Sequence, residues 1–198
     1  MAIITLPSIS ARSTSLRLLR GDGVLEFLDG SVVVVQATKA VWFLSFPLNE
    51  LRLADARAWT SALVRLSKPA NQFQVTPPGW SAGAAYGGPN PLVAGGSQLG
   101  LSLACDGASN NDIVVLEGDF ISVNGEFKCL TAQADSNGTG LVTFNFEPAL
   151  RQSPANNAVV EVINPIITMR MLSPDASWVI TPPVQHTITI DAIEHFGP

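Results

Sequence analysis

Two dipeptides, Asp29-Gly30 and Asn124-Gly125, each stand between two short apolar runs, and they constrain the fold more than any other feature. Such residues supply the positive φ angles that the turn of a two-residue β-hairpin requires. Asn137-Gly138 predicts a third, slightly longer loop before Leu141–Glu147. Three hairpins in a chain of 198 residues predict an all-β, mainly antiparallel protein.

The second of these hairpins also predicts a register. A two-residue turn places Val123 opposite Glu126 and Phe120 opposite Cys129. Because side chains alternate along a strand, Phe120, Phe127 and Cys129 are expected to share one face.

The strand that follows continues the apolar pattern. Its apolar residues at 142, 144 and 146 alternate with Thr143 and Asn145. We expect its apolar face to meet the Phe120 face and close a small barrel or sandwich, with Cys129 as a core residue.

A single helix is predicted from about Asn49 to Ser67, and Pro69 stands at the expected stop. Residues at three- and four-residue steps form its stripe: Leu51, Asp55, Trp59, Ala62, Leu63 and Leu66. The opposite face carries Arg52, Arg57 and Thr60. We interpret the Leu and Trp stripe as a packing face against a sheet.

Composition changes twice along the chain and predicts two domains. Pro77-Pro78-Gly79 opens a stretch rich in Gly, Pro, Ala and Asn, and the strand pattern changes again near Asn164-Pro165. We expect residues 1–76 and 164–198 to form one β-sandwich domain that carries the helix at about 49–67. Residues 77–163 then form an inserted β-barrel domain.

Charge is scarce and acidic. Charged residues make up 14 % of the chain and the net charge is -5, against roughly 25 % charged residues in an average domain. The surface is therefore rich in uncharged polar residues, or a partner covers part of it. With 11 Lys and Arg and no basic run, specific nucleic-acid binding is not expected.

The chain offers few residues for catalysis or metal binding. Cys105 and Cys129 are interpreted as free thiols, although one disulfide stays open as the alternative. Alternation along the last strand sends His186 and His195 to opposite faces, so they cannot share a metal. His186 is interpreted as a core histidine with satisfied hydrogen bonds. We expect no enzyme activity, cofactor or metal.

The same sequence carries no sign of secretion or of a membrane span. The first residues lack a positive segment ahead of an apolar one, and the apolar stretch Ala40 to Leu48 is far shorter than a membrane helix needs. We therefore expect a protein that has no membrane partner and is made in a reducing cytoplasm.

Two strands are apolar on both faces, namely Val32 to Val35 and Val41 to Leu44. A sheet with one wet face should alternate instead. Either the helix and a second sheet of the same chain cover these faces, or a neighbouring subunit covers one of them. The second interpretation makes Val33, Val35, Trp42 and Leu44 candidate interface residues.

The order of short motifs resembles the distal tail proteins of long-tailed bacteriophages. The segments that carry the resemblance, in chain order, are Ile4-Thr5-Leu6-Pro7-Ser8-Ile9, Gly30-Ser31, Trp42, Phe46-Pro47-Leu48, Ala54-Asp55-Ala56-Arg57-Ala58-Trp59, Phe73, Pro77, Val93-Ala94-Gly95-Gly96-Ser97-Gln98-Leu99-Gly100, Gly118-Asp119-Phe120-Ile121, Ala134-Asp135-Ser136-Asn137-Gly138, Glu147-Pro148-Ala149-Leu150-Arg151 and Trp178. The segment from Leu18 to Leu28 departs from the family pattern.

The resemblance implies a structural role without catalytic residues. Members of the family form a six-fold ring between the tail tube and the tail-tip hub, and DNA passes through the ring. It also implies a β-sandwich with one helix and an inserted barrel like the oligonucleotide/oligosaccharide-binding fold. The expected protein is thus a homo-hexameric part of the virion tail, assembled in the host cytoplasm. The alternative is a carbohydrate-binding β-sandwich module.

Overall fold

The structure, a computed structural model, describes residues 2–7, 13–35, 40–77, 86–181 and 185–196. Of the segments used above, Ser8, Ile9 and residues 78–85 lie outside these ranges. The elements in chain order are β1 (Ser15–Arg20), β2 (Gly23–Glu26), β3 (Val32–Val35), β4 (Ala40–Leu51), α1 (Leu53–Leu66), β5 (Phe73–Val75), β6 (Leu92–Val93), β7 (Gly100–Asp106), β8 (Ile113–Val115), β9 (Phe120–Val123), β10 (Glu126–Leu130), β11 (Ala134–Asp135), β12 (Val142–Leu150), β13 (Val160–Glu161), β14 (Ile167–Met171), β15 (Val179–Thr181) and β16 (Gln185–Glu194).

The fold is all-β and mainly antiparallel, with α1 as the single helix of the described residues, as predicted. The chain divides into two compact units, residues 1–73 with 169–195 and residues 74–168 with 196–198. The boundaries predicted from composition were 76/77 and 163/164. The division falls inside strands β5 and β14, where composition gives no signal.

The first unit is built on one antiparallel sheet with the order β1-β4-β16-β14-β5, and β15 pairs with β16. In its two long central strands, burial alternates along β16 and along β4 from Leu44 to Leu48, as in a half-buried sheet. Leu44, Phe46 and Leu48 of β4 are buried, and so are Ile188 and Ile190 of β16. Thr187, Thr189 and Asp191 lie on the other side of β16, so its sequence alternates strictly from Thr187 to Ala192.

Helix α1 packs on this sheet, but it begins later than predicted. Leu51, predicted in the first turn, is the last residue of β4 and pairs with His186 of β16. The sheet ladder therefore takes the backbone that periodicity assigned to the helix. The stripe is otherwise confirmed from Trp59 onward, and the Trp59 ring meets Phe46 edge-to-face with 6.3 Å between ring centroids. Asp55 is exposed, so the one polar break in the predicted stripe is not in the packing face.

The second unit is a nearly closed, barrel-like sheet. Its main sheet has the order β13-β9-β10-β12-β7-β6. The two ends of that order meet, because Val93 N–H donates to the Ala158 carbonyl and Val160 N–H donates to the Pro91 carbonyl, both at about 2.8–2.9 Å. These hydrogen bonds cover part of the edges that an open sheet would present. The core inside contains the buried side chains of Leu103, Ile121, Val123, Leu130, Val142, Phe144 and Phe146.

The register predicted for the Asn124-Gly125 hairpin is confirmed, with Val123 opposite Glu126 and Phe120 opposite Cys129. Both turn residues have positive φ, 51° and 75°. Phe120 and Phe127 stack with 4.9 Å between ring centroids.

The prediction that this aromatic face joins the barrel core is wrong. Cys129 pairs with Glu147, whereas Leu130 pairs with Phe146. Because paired residues share a face, Phe146 points to the side of Leu130 and away from Cys129. The core residue is Cys105, which is buried, while Cys129 is only partly buried.

Candidate functional site

The hairpin of β2 and β3 is the most unusual surface of the described chain. It forms a separate two-stranded sheet in which Val24 pairs with Val34 and Leu25 with Val33. Every apolar side chain in these two strands is about half exposed, at 48–59 %. A lone two-stranded hairpin is marginal in water at best, and contiguous exposed apolar surface marks an interaction site.

The two faces of this hairpin differ in charge. Pairing and alternation place Leu25, Val33 and Val35 on one side, which we call the Val33 face. Val24, Glu26, Val32 and Val34 lie on the other side, which we call the Glu26 face. Glu26 thus adds a carboxylate to an otherwise apolar face.

The turn of this hairpin differs from the two-residue turn that the sequence predicts. Phe27 N–H donates to the Ser31 carbonyl, so three residues, Leu28 to Gly30, form the loop. Gly30 has a φ of +81°, whereas Asp29 does not have positive φ. Asp29 instead accepts hydrogen bonds on Oδ1 from Ser31 N–H at 2.9 Å and Ser31 Oγ–H at 2.6 Å. This side-chain turn, followed by a left-handed glycine, is the common three-residue hairpin.

The tip of the hairpin carries both charge and apolar surface. The hydrogen bonds from Ser31, its hydroxyl above all, lower the pKa of the Asp29 carboxyl. Leu28 beside it is fully exposed. The tip therefore offers an anionic group next to an uncovered Leu side chain.

The four candidate interface residues fall into two groups. Val33 and Val35 are exposed on the hairpin, but Trp42 and Leu44 are buried at 6 % and 0 % exposure. The chain's own sheet and helix enclose the Trp42 side, and the Arg17 guanidinium lies over the Phe43 ring, 4.2 Å from its centroid, on the other side. Trp42 and Leu44 are therefore corrected to core residues, and the interface prediction rests on Val33 and Val35.

A second surface feature lies in the same unit, along α1. A cleft of about 430 Å³ is lined by one side of the helix and by His186, and the helix side consists of Ala56, Arg57, Thr60, Ser61, Val64 and Arg65. This volume is within the range of roughly 300–1,000 Å³ typical of ligand-binding clefts. Val64 contributes an exposed apolar side chain, and Arg57 and Arg65 contribute positive charge.

His186 is buried as predicted, yet its hydrogen bonds are not satisfied. Its residual exposure is 8 %, and within the described chain neither ring nitrogen has a hydrogen-bond partner. A buried polar group without a partner carries a desolvation cost of about 1–3 kcal/mol. A ligand that supplied the missing hydrogen bond would recover part of that cost.

The two thiols are free, as expected. Burial, with a smaller contribution from Asp106, raises the pKa of Cys105 to about 12. Burial and the charge of Asp119 raise the pKa of Cys129 as well. Nucleophilic cysteines need the opposite shift, so neither thiol is activated.

A buried ion pair lies in the barrel unit. Lys128 Nζ donates to Glu126 Oε2 at 2.6 Å and to the Ala149 carbonyl at 2.9 Å. Glu126 also accepts from the backbone N–H groups of Arg151 and Gln152 at 3.1–3.2 Å. The pair is buried and its contacts hold the end of β12, so we interpret it as structural.

The barrel unit also carries a polar cleft of about 250 Å³. Its lining includes Ser122, Asn124, Glu161 and Thr168. None of the described residues that line it is aromatic, and sugar-binding sites depend on aromatic platforms for apolar contact. The cleft therefore gives the carbohydrate alternative little support.

The described ranges contain neither a cluster of metal ligands nor a membrane-spanning helix. No group of three or more His, Cys, Asp or Glu side chains there could hold a metal ion. No helix in the same ranges is long and apolar enough to cross a membrane. Comparisons with protein-family models and with curated proteins find no match to this chain.

The sequence predicted the exposed β3 strand of the hairpin but did not predict the cleft along α1. The run Val32–Val35 indicated an uncovered strand, because a strand that is apolar on both faces needs cover on both. The cleft was missed, because Arg57 and Thr60 were assigned to a solvated helix face and His186 to a satisfied core. The usable signal was the positive charge of the segment from Arg52 to Lys68, in which Asp55 is the single acid.

Proposed function

We propose that this chain is a structural protein that assembles with copies of itself into a ring, and that the ring is the distal tail ring of a long-tailed bacteriophage. The observation that carries the proposal is the β2–β3 hairpin, whose apolar residues are exposed on both faces. Such an element gains stability when another molecule covers it.

A second copy of the chain is the simplest cover. Most oligomers are built from identical subunits. When two copies meet through two different patches, the contact is head-to-tail, and repeating it closes a ring if the rotation between copies permits. Val33 and Val35 are the residues of this contact that the sequence predicted. The scarcity of charge, 14 % of residues, fits a protein whose surface is partly covered in the assembly.

The tail assignment rests on the ordered motifs and on architecture. The resemblance implies a β-sandwich with one helix and an inserted barrel, and the structure has a six-stranded sheet with one helix and a nearly closed barrel-like unit between its two segments. We propose a hexamer that joins the tail tube to the tail-tip hub in the virion and has no catalytic role. A net charge of -5 suits a channel through which DNA passes without being held.

Negative-stain electron microscopy of the purified chain tests this proposal. We expect rings of six copies of 20.9 kDa, about 125 kDa in total. Antibodies against the chain should label one position near the tip of the phage tail. Single particles of monomer size at every protein concentration would contradict the assembly, and labelling elsewhere on the virion would contradict the position.

A further inference from the structure

We infer that the cleft along α1 is the receptor for the hairpin tip of a neighbouring copy of the chain. This inference rests on the proposed self-assembly, and it adds the tip of the hairpin and a receptor for that tip to the contact that includes Val33 and Val35. The tip is Glu26, Leu28 and Asp29, and the receptor is the cleft lined by α1 and His186.

Charge complementarity is the first argument. Glu26 and Asp29 give the tip two negative charges, and neither has an ion-pair partner among the described residues. Arg57 and Arg65 give the cleft two positive charges, and these also have no ion-pair partner in the described ranges. Paired opposite charges at an interface steer association and fix its register.

The buried imidazole is the second argument, and it is independent of net charge. His186 lines the cleft with both ring nitrogens unpartnered in the described chain. A neutral imidazole carries one N–H donor and one acceptor. A carboxylate oxygen of Asp29 or Glu26 can accept from that donor, which would satisfy one of the two ring nitrogens that the isolated chain leaves without a partner.

Apolar contact is the third argument. Leu28 is the most exposed apolar residue of the described chain, and Val64 on the cleft wall is 52 % exposed. Both lose water contact when the tip enters the cleft. An apolar centre with a charged rim is the usual composition of a specific interface.

The tip does not fill the cleft of its own chain. The hairpin and the cleft belong to the same unit, yet the tip stays exposed and the cleft stays open. Insertion of each tip into the next copy's cleft uses two different patches per chain, which generates a closed ring or an open filament.

Charge reversal tests the inference. The variant Arg57→Glu/Arg65→Glu has an acidic cleft, and the variant Glu26→Arg/Asp29→Arg has a basic tip. Each variant alone brings like charges together, and we expect at least about a hundredfold loss of assembly affinity in sedimentation velocity. Mixing the two variants restores opposite charges at every contact, so the mixture should assemble as alternating copies.

A matched control uses Arg52→Glu/Lys68→Glu. This variant changes the net charge as much as the cleft variant does, but neither residue lines the cleft. It should assemble like the wild type. If the cleft variant also assembles like the wild type, or if the mixture fails to assemble, the inference is overturned while the proposed self-assembly stands. A wild type that never assembles overturns both.

Photocrosslinking gives a readout that does not depend on charge or on folding of the variants. A benzoylphenylalanine in place of Leu28 should crosslink to a peptide of residues 53–66 from a different chain. Mixing isotope-labelled and unlabelled protein identifies links between chains. Crosslinks that map only to other segments would contradict this receptor even if rings form.

Discussion

Removal of apolar surface from the Val33 face should weaken assembly without weakening the fold. The perturbation is Leu25→Ser/Val33→Ser, a cross-strand pair that is 56 % and 48 % exposed in the single chain. Burial of a whole Leu or Val side chain contributes about 1.5–3 kcal/mol. About half of each remains to be buried, so each contributes ~1 kcal/mol to the contact.

The pair together contributes ~2 kcal/mol per contact, which corresponds to about a thirtyfold change in association constant. Sedimentation velocity over a concentration series measures that constant. The thermal unfolding midpoint of the monomer should barely move, since exposed substitutions change stability by about 0.5 kcal/mol or less.

A matched control separates this contact from a general effect of lost apolar surface. Leu99 and Leu101 of the barrel unit are 60 % and 49 % exposed, close to the values for Leu25 and Val33. The variant Leu99→Ser/Leu101→Ser should assemble like the wild type. Equal loss in both variants, or loss in neither, would refute the assignment of the hairpin as the contact.

Three further predictions concern the fold and the thiols. Because burial raises the pKa of Cys105 to about 12 and also raises the pKa of Cys129, iodoacetamide at pH 8 should leave Cys105 unlabelled in the native protein and alkylate Cys129 slowly. Peptide mass spectrometry measures both, and rapid labelling of Cys105 would contradict its burial. Lys128→Met leaves the buried Glu126 carboxylate without its counter-charge, so it should lower the free energy of unfolding, measured by urea denaturation, by about 3–5 kcal/mol. An unchanged free energy of unfolding would show that the ion pair is not needed for stability. Gly140→Ala and Gly118→Ala both force an alanine into the left-handed region, at a cost of about 1 kcal/mol. Only at Gly140 does the new Cβ lie 2.5 Å from a backbone carbonyl oxygen, so Gly140→Ala should lower the thermal unfolding midpoint more. Equal midpoints for the two variants would contradict that clash.

The sequence predicted local structure well where a single short-range rule decides it. Asn124-Gly125 defined its hairpin and register because both residues adopt positive φ. Asp29-Gly30 looked the same in sequence, yet Asp29 used its side chain to cap the turn and changed the loop length. A side-chain hydrogen bond of this kind depends on Ser31, which a dipeptide rule does not include.

Predictions that depended on tertiary contacts were less accurate. The helix start was placed too early because pairing of Leu51 with β16 is a long-range contact. Cys129 was placed in the core because the hairpin was joined to the wrong face of its neighbour. The cleft at His186 could not be predicted, since it requires the position of β16 against α1, which periodicity within one element does not contain.

The same limit applies to the interface residues. Val33 and Trp42 both lie in runs that are apolar on both faces, and sequence alone cannot say which run the chain covers by itself. Arg17 and α1 cover the Trp42 run, and the described chain leaves the Val33 run open. The open run is the one on which the proposed assembly rests.

Hydrogen–deuterium exchange of residues 23–35 measures directly whether another copy covers the hairpin. In a dilute, dissociated sample these amides should exchange rapidly, because a solvent-exposed two-stranded sheet opens easily. In a concentrated sample they should become protected together, over the same concentration range in which the sedimenting mass rises. Rapid exchange at every concentration, in a protein that stays at 20.9 kDa, would contradict the account.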